Sequence, residues 1–516
     1  MIDIKHIKAS AVVLLVLLPF VRSYTQSGVY KPDSFIDTAR TKKMKDAFPI
    51  IRNMYEAYAR ENHVPGLAFG IVSGNKLIYA GGIGVQETRT KLPVTAASVF
   101  RIASMTKSFT AMAILKLRDE GKLDLDDPVV KYVPELSKTS LPAASAKPVT
   151  IRNLLTHTGG FPEDNPWADR QLDMTDAELL AFVSRGISMA YIPGQNFEYS
   201  NLGYALLGQI IKIVSKQSYE KYVTNNILIP LNMYHTYWEY SKVPSVELAQ
   251  GYRLIDGQWS PEELLHSGAF SCTGGILTSV EDFSKYMILH LSAWPADNRK
   301  SNGPAANSTV REMHSQGNIT RLRRRRDTGE PDCPTITSYN DGLSWSKNCS
   351  GKVLIQHSGG LPGFGSNWAF MPEYDIAVVS LTNLTYIAPD LLNARVLDTL
   401  ITIAGLEPRA IHTSSILSKR RQQLLNVLPD WSNAAASEAF SGNFFKDYFI
   451  EDLRTESQSL YRKVGKIVAV GEMIPVNQLR GYFTIAGERG KLDIWFTLSP
   501  ENPALIQEFK ISERVD

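Results

Sequence analysis

The sequence predicts an α/β fold: an antiparallel sheet flanked by helices, with a mainly helical lobe between its early and late strands, then a separate region of short strands. Three observations predict it. β-like runs cluster near the start (Leu67–Val72, Leu77–Val85) and again far downstream (Val353–Gln356, Trp368–Phe370, Ala377–Leu381). Between them lie segments with helical apolar spacing, such as Phe109–Leu115 and Leu206, Leu207, Ile210, Ile211 and Val214. From Phe440 onward, alternating aromatic and aliphatic runs separated by glycines take over, as in Gly481–Ile485 and Leu492–Phe496.

In chain order, Met1–Lys8 carries two lysines, and Ala11–Val21 is an apolar run that ends before Arg22-Ser23. This is the layout of a signal peptide over residues 1–23, so the expectation is a secreted or periplasmic protein with no stable membrane span. An extension over 24–44 precedes the main domain. Ser73-Gly74-Asn75-Lys76, between two β-like runs, reads as a hairpin turn.

The most informative stretch is Ser104-Met105-Thr106-Lys107 at the mouth of an apolar helix that Gly121 ends. Positions i and i+3 share a helix face, so the Lys107 amine can take the proton of the Ser104 hydroxyl as it attacks. A helix N-terminus also offers backbone N–H groups to an oxyanion. Spacing alone is weak, since Ser73/Lys76, Ser218/Lys221 and Ser344/Lys347 share it; only Ser104 has the buried helix behind it.

Tyr199-Ser200-Asn201 follows the turn Pro193-Gly194 and precedes the second helical segment, which Ser200 or Asn201 is placed to cap. A phenol near a lysine ammonium gains phenolate character, which suits a proton shuttle. His357-Ser358-Gly359-Gly360 is placed at a strand end, where glycines let backbone N–H groups approach a carbonyl. His157 and His266 begin competing H-x-G matches; His157 reads as a structural, hydrogen-bonded histidine.

The ordered set S-x-x-K, Y-x-N, H-x-G resembles the serine β-lactamase-like superfamily of class C type: class C β-lactamases, D-alanyl-D-alanine carboxypeptidases, D-aminopeptidases and related esterases. Flanking text agrees: Phe100–Ser104, Leu154–Gly160, Pro230–Met233, Gly274-Gly275 and His357–Phe364. The likeness covers residues 45 to 405. It implies a β-lactamase/transpeptidase-like fold in which Ser104 is the acylated nucleophile, with Lys107 and Tyr199 as base and proton relay. Asn201, His357, Gly359 and Gly360 would bind substrate, and the N–H groups of Ser104 and Gly360 would form the oxyanion hole. Family lactamases and carboxypeptidases usually begin the third motif with lysine. His357 instead matches the esterase- and peptidase-like branches.

The implied activity is peptide or amide hydrolysis, with D-amino-acid-containing or linearised cyclic peptides among the candidates. An esterase, transacylase or β-lactamase, and a penicillin-recognising protein without turnover, are the alternatives. The resemblance also implies a small C-terminal antiparallel β-barrel over 434–516, reached through a linker over 406–433.

Composition limits the partners. The chain has 516 residues, 44% hydrophobic and 21% charged, enough for a large core, and its net charge of +3 is too small to imply a nucleic-acid surface. The partner expected is a small-molecule or peptide substrate. No nucleotide loop, H-E-x-x-H or Cys-x-x-Cys occurs, so neither cofactor nor metal is expected. Of the three cysteines, Cys333 and Cys349 can bridge in an oxidising compartment, or all three can be free thiols. Residues 298–334, with the run Arg323–Arg326 among Asn, Ser, Gly and Pro, read as a mobile surface insertion.

Overall fold

The computed structural model describes residues 30–297, 301, 303–323 and 333–514; the signal-peptide reading lies outside them. The chain divides into two compact units, Asp33–Ala410 and a second that begins at Ile411.

The first unit is built on eight strands: β1 (Gly66–Ser73), β2 (Lys76–Gly84), β3 (Asn318–Arg323), β4 (Thr335–Asn340), β5 (Leu343–Asn348), β6 (Val353–Leu361), β7 (Phe364–Met371) and β8 (Ile376–Thr382). Their order is β2-β1-β8-β7-β6-β5-β4-β3, antiparallel throughout. The expected hairpin is present, with Gly74 and Asn75 at φ 58° and 59°, the pair of left-handed residues a two-residue loop needs.

Both faces of the central strands are buried, so they alternate between two cores rather than between core and water. On one face Leu67, Phe69, Ile71, Val378 and Ala369 pack with α1 (Phe48–Glu61) and α6 (Asp390–Ala404). On the other, Ala68, Val72, Trp368, Phe370 and Val379 join the core of α2 (Thr106–Asp119), α3 (Asn201–Ser215) and α4 (Val280–Ser292). Gly70 admits α4 at close range, because a Cβ there would lie 2.5 Å from a Val280 methyl. The lobe between β2 and β3 in the chain is mainly helical, as expected.

The segment 298–334 departs from the reading as a loose insertion. Its described residues include helix α5 (Asn307–Met313), which buries Thr309, Val310 and Met313, and the strand β3. The arginine-rich composition misled because an edge strand tolerates charge that a central one does not. Cys333 and Cys349 are joined by a disulfide, and Cys272 is free and buried.

The second unit holds α7 (Ser415–Val427), α8 (Ile450–Val464) and strands β9 (Ile467–Val470), β10 (Ile474–Asn477), β11 (Arg480–Gly487), β12 (Lys491–Leu498) and β13 (Ile506–Glu513). The barrel-like expectation takes the form of a five-stranded antiparallel sheet, order β9-β11-β12-β13 with β10 also on β11. Residues 406–433 are not simply a linker. Leu417, Leu424 and Val427 of α7 lie on one helical face and share a core with Phe483, Ile494 and Phe509. No helix among the described residues is long and apolar enough to cross a membrane.

Candidate active site

Ser104 sits on a single 3₁₀ turn, Ala103–Met105, that leads directly into α2. Ala103 is held in the left-handed region at φ 49° and is fully buried, a strained residue immediately before the serine. The Lys107 Nζ lies 3.0 Å from the Ser104 Oγ, 2.6 Å from the Asn201 Oδ1 and 3.1 Å from the Thr273 carbonyl oxygen. Lys107 is completely buried, and this burial pushes its pKa down to about 8 against the opposing pull of Asp169 and Asp164. None of the three other S-x-x-K matches opens a buried helix: Ser73 ends a strand at the hairpin turn, Ser218 is a helix N-cap, and Ser344 lies on strand β5.

Tyr199 stands just before α3. Its neighbour Ser200 is the N-cap, accepting from the Gly203 N–H, which leaves the Asn201 side chain free to face Lys107. Asp164, which sequence reasoning missed, orients that amide. Its carboxylate accepts from the Asn201 N–H (2.7 Å), the Leu202 N–H (2.9 Å) and the Asn201 Nδ2 (3.1 Å), so only the Asn201 oxygen is turned to the amine. His157 has the structural role expected. Its Nδ1 accepts from the Ser200 N–H at 3.1 Å and its ring lies 4.2 Å from that of Tyr199.

The Tyr199 ring lies 4.9 Å from the Lys107 amine, and Tyr199 lines the cleft together with Ser104. Burial raises its pKa above the ordinary phenol value, and Asp169 and Asp164 add to the rise. The phenolate character expected beside a lysine is therefore not favoured: desolvation of the anion outweighs the ammonium's attraction, and Tyr199 rests as a neutral phenol.

His357 is inside β6, not past its end, because the strand continues to Leu361. Its Nδ1 donates to the Ser358 carbonyl at 2.6 Å and its Nε2 accepts from the Tyr339 hydroxyl at 3.0 Å. Burial pushes its pKa down to about 3, so it is neutral. Pairing of β6 with β5 stops at Gln356, while pairing with β7 continues to Leu361. The Asn348 N–H donates to the Lys352 carbonyl, so even-numbered residues of β6 point their backbone groups toward β5. Beyond Gln356, Ser358 and Gly360 direct theirs into the space that β5 vacates.

A cleft of about 390 Å³ opens there, lined by Ser104, Asn165, Asp169, Tyr199, Tyr339, Ser344, Gln356, His357, Ser358, Gly359, Gly360, Tyr386 and Ala388. Of the site residues read from the sequence, Lys107 and Asn201 lie behind this wall and the other five on it. Asn165, Asp169, Tyr339 and Tyr386 carried no motif. Their separation in the chain hides them, although Asp164-Asn165-Pro166 has the composition of a helix start.

Gly359 lets β6 press against the turn that carries Ser104: a Cβ there would lie 2.2 Å from the Ile102 carbonyl oxygen and 3.0 Å from the Ala103 Cβ. Gly359→Ala is expected to cost about 1–3 kcal/mol of stability and to slow acylation at Ser104, read by thermal melting and by labelling rate.

A serine whose hydroxyl is met by a buried amine, beside a neutral phenol and beneath the open edge of an antiparallel strand, has the geometry of an activated nucleophile. The chain belongs to the Beta-lactamase family, whose model matches residues 51–402. It is 33% identical over 350 residues to Protein flp of Staphylococcus aureus (strain N315), a match that covers 67% of this chain and 64% of that protein's length. Among solved structures, the octameric penicillin-binding protein homologue from Pyrococcus abyssi is similar over 90% of this chain and 95% of that one, with TM-score 0.58 and 24% identity. The D-alanine carboxypeptidase AmpC from Burkholderia cenocepacia is similar over 70% of this chain and 99% of that one, with TM-score 0.54 and 20% identity. These two likenesses establish the fold.

Proposed function

We propose that the protein is an exported serine hydrolase that cleaves peptide or amide bonds through an acyl-enzyme on Ser104. The observation that carries this reading is the 3.0 Å contact between the Ser104 Oγ and the buried amine of Lys107. With its pKa near 8, Lys107 holds a useful neutral fraction at neutral pH and takes the serine proton as the Oγ–carbonyl bond forms. The N–H groups of Ser104 and Gly360 receive the oxyanion. Tyr199, a neutral phenol on the cleft wall with Ser104, passes a proton to the leaving amine and regains one from Lys107. Water then attacks the acyl carbonyl by the same relay and frees the serine. Asn201, fixed by Asp164, keeps the amine in line.

The neutral His357 where lactamases carry lysine supports a peptide or amide substrate over lactam antibiotics. Export is supported by the N-terminal pattern, and the Cys333–Cys349 disulfide suits an oxidising compartment.

The test is intact-mass and peptide mapping after exposure to a fluorophosphonate. One adduct on Ser104, absent from Ser104→Ala, is expected; no adduct, or an adduct elsewhere, contradicts the assignment. Peptide anilides turned over without a stall after the first equivalent would separate a hydrolase from a binding protein that acylates once.

A further inference from the structure

The cleft beside Ser104 carries a buried carboxylate and, among the described residues, no lysine or arginine side chain in its lining. His357 is neutral, and Lys107 is held behind the wall by Ser104, Asn201 and Thr273. The carboxylate is Asp169, which follows the short helix Asn165–Ala168 of the helical lobe and is only 7% exposed. It makes no ion pair within 4 Å among the described residues. The phenol of Tyr386, on the segment after β8, shares the cleft lining with it and acts on its carboxyl. That tyrosine has φ 59° and stands over Gly360, its ring 3.0 Å from where a Cβ would be. A phenol thus reaches Asp169 from the sheet side of the cleft.

The charges that face Asp169 are Lys107, Asp164 and Glu163. Arg170, next in the chain, is turned to Glu262 at 3.5 Å. Lys107, the one cation facing this carboxylate, is committed to Ser104, Asn201 and Thr273, and a carboxylate held out of water with no ion pair within 4 Å is costly unless a further counter-ion completes it. Burial raises its pKa to about 6, so it is ionised at neutral pH and above.

We propose that Asp169, beside Tyr386 in the cleft lining, is the specificity-determining residue of this cleft, accepting the ammonium group of a cationic substrate and rejecting substrates with a carboxylate at that position. The proposal rests on the acyl-enzyme reading of Ser104, and names the charge of the substrate that this site takes.

Three matched sets of fluorophosphonates, with short alkyl tails of graded length ending in ammonium, methyl or carboxylate, test it. The second-order rate of adduct formation at Ser104 is measured on the full chain by mass spectrometry. The expected result is that at least one ammonium-tailed probe reacts about tenfold or more faster than its methyl counterpart, with the carboxylate slowest. Asp169→Asn keeps the shape of the side chain without its charge and should bring the three tails to within about threefold of one another. No ammonium preference at any length, or a preference that survives Asp169→Asn, overturns the proposal. So does an equal fall in all three rates, which would assign Asp169 to the support of Lys107. Failure of every probe to label Ser104 overturns the acyl-enzyme reading instead.

Discussion

Lys107→Gln is expected to slow acylation of Ser104 by about 10³-fold while leaving the fold intact. Glutamine approximates the lysine stem and can still donate to the Asn201 and Thr273 oxygens, 2.6 and 3.1 Å from the amine. It cannot take a proton at neutral pH. Lys107→Arg should fail as well, because a guanidinium does not release its proton in this range. The measurement is the rate of fluorophosphonate adduct formation, with thermal melting to show that each variant is folded. A variant that is folded and labels at the wild-type rate would remove Lys107 from the chemistry.

The second large effect is on stability toward acid. His157, His290, His314 and His357 are all buried, and burial lowers the pKa of each, to about 3 for His290 and His357. His290 and His314 bond each other at 2.7 Å, and the Trp294 Nε1 donates to His314 at 2.9 Å, an arrangement with no room for added protons. From about pH 7.5 upward both folded and unfolded histidines are neutral and pH has no leverage through them. Below it, the unfolded chain binds protons that the folded one refuses, so stability falls as pH falls.

Each such histidine contributes about 1.4 kcal/mol per pH unit. Asp169 and Asp341, raised to about 6 and about 7, act in the opposite sense, because the folded state binds their protons first. The raised carboxyls, Glu373 and Asp375 among them, offset part of the histidine effect, so stability is expected to fall with pH between roughly pH 6 and pH 4 by less than the histidines alone would give. Denaturant midpoints across this range should fall, and His290→Gln should flatten the slope by about 1.4 kcal/mol per unit. A midpoint that holds constant down to pH 4.5 would contradict the account.

Much of the site was legible because its chemistry is local in sequence. Ser104 and Lys107 are one turn apart, and the unbroken burial of Phe109 to Leu115 separated them from the three decoys. Tyr199 and Asn201 were legible from the capped helix after them, although which of Ser200 and Asn201 capped it needed coordinates. The strands read clearly, because β-branched and aliphatic residues crowd into Ile376–Leu381 and into Val353–Ile355 ahead of the third motif.

What was not legible depends on burial. The protonation of Tyr199 turns on desolvation, which no spacing reveals. Asp164, Asp169 and Tyr386 meet the site from segments without a pattern of their own. The hairpin turn at Asp341 and Gly342, φ 42° and 80°, seats against α2, with a Gly342 Cβ only 2.8 Å from the Lys107 carbonyl oxygen. Its contact is with a residue more than two hundred positions earlier. The polar composition of 298–334 likewise hid α5 and β3, whose partners are distant in the chain.

The central claim is that the buried amine of Lys107 activates Ser104, and the pH dependence of Ser104 labelling by a neutral fluorophosphonate tests it most directly. The labelling rate is predicted to rise with pH through a single ionisation near the pKa of about 8 that burial gives Lys107, and the rise is predicted to vanish in Lys107→Gln. A rate that is flat from pH 6.5 to 9.5, or a profile unchanged by the substitution, would contradict it.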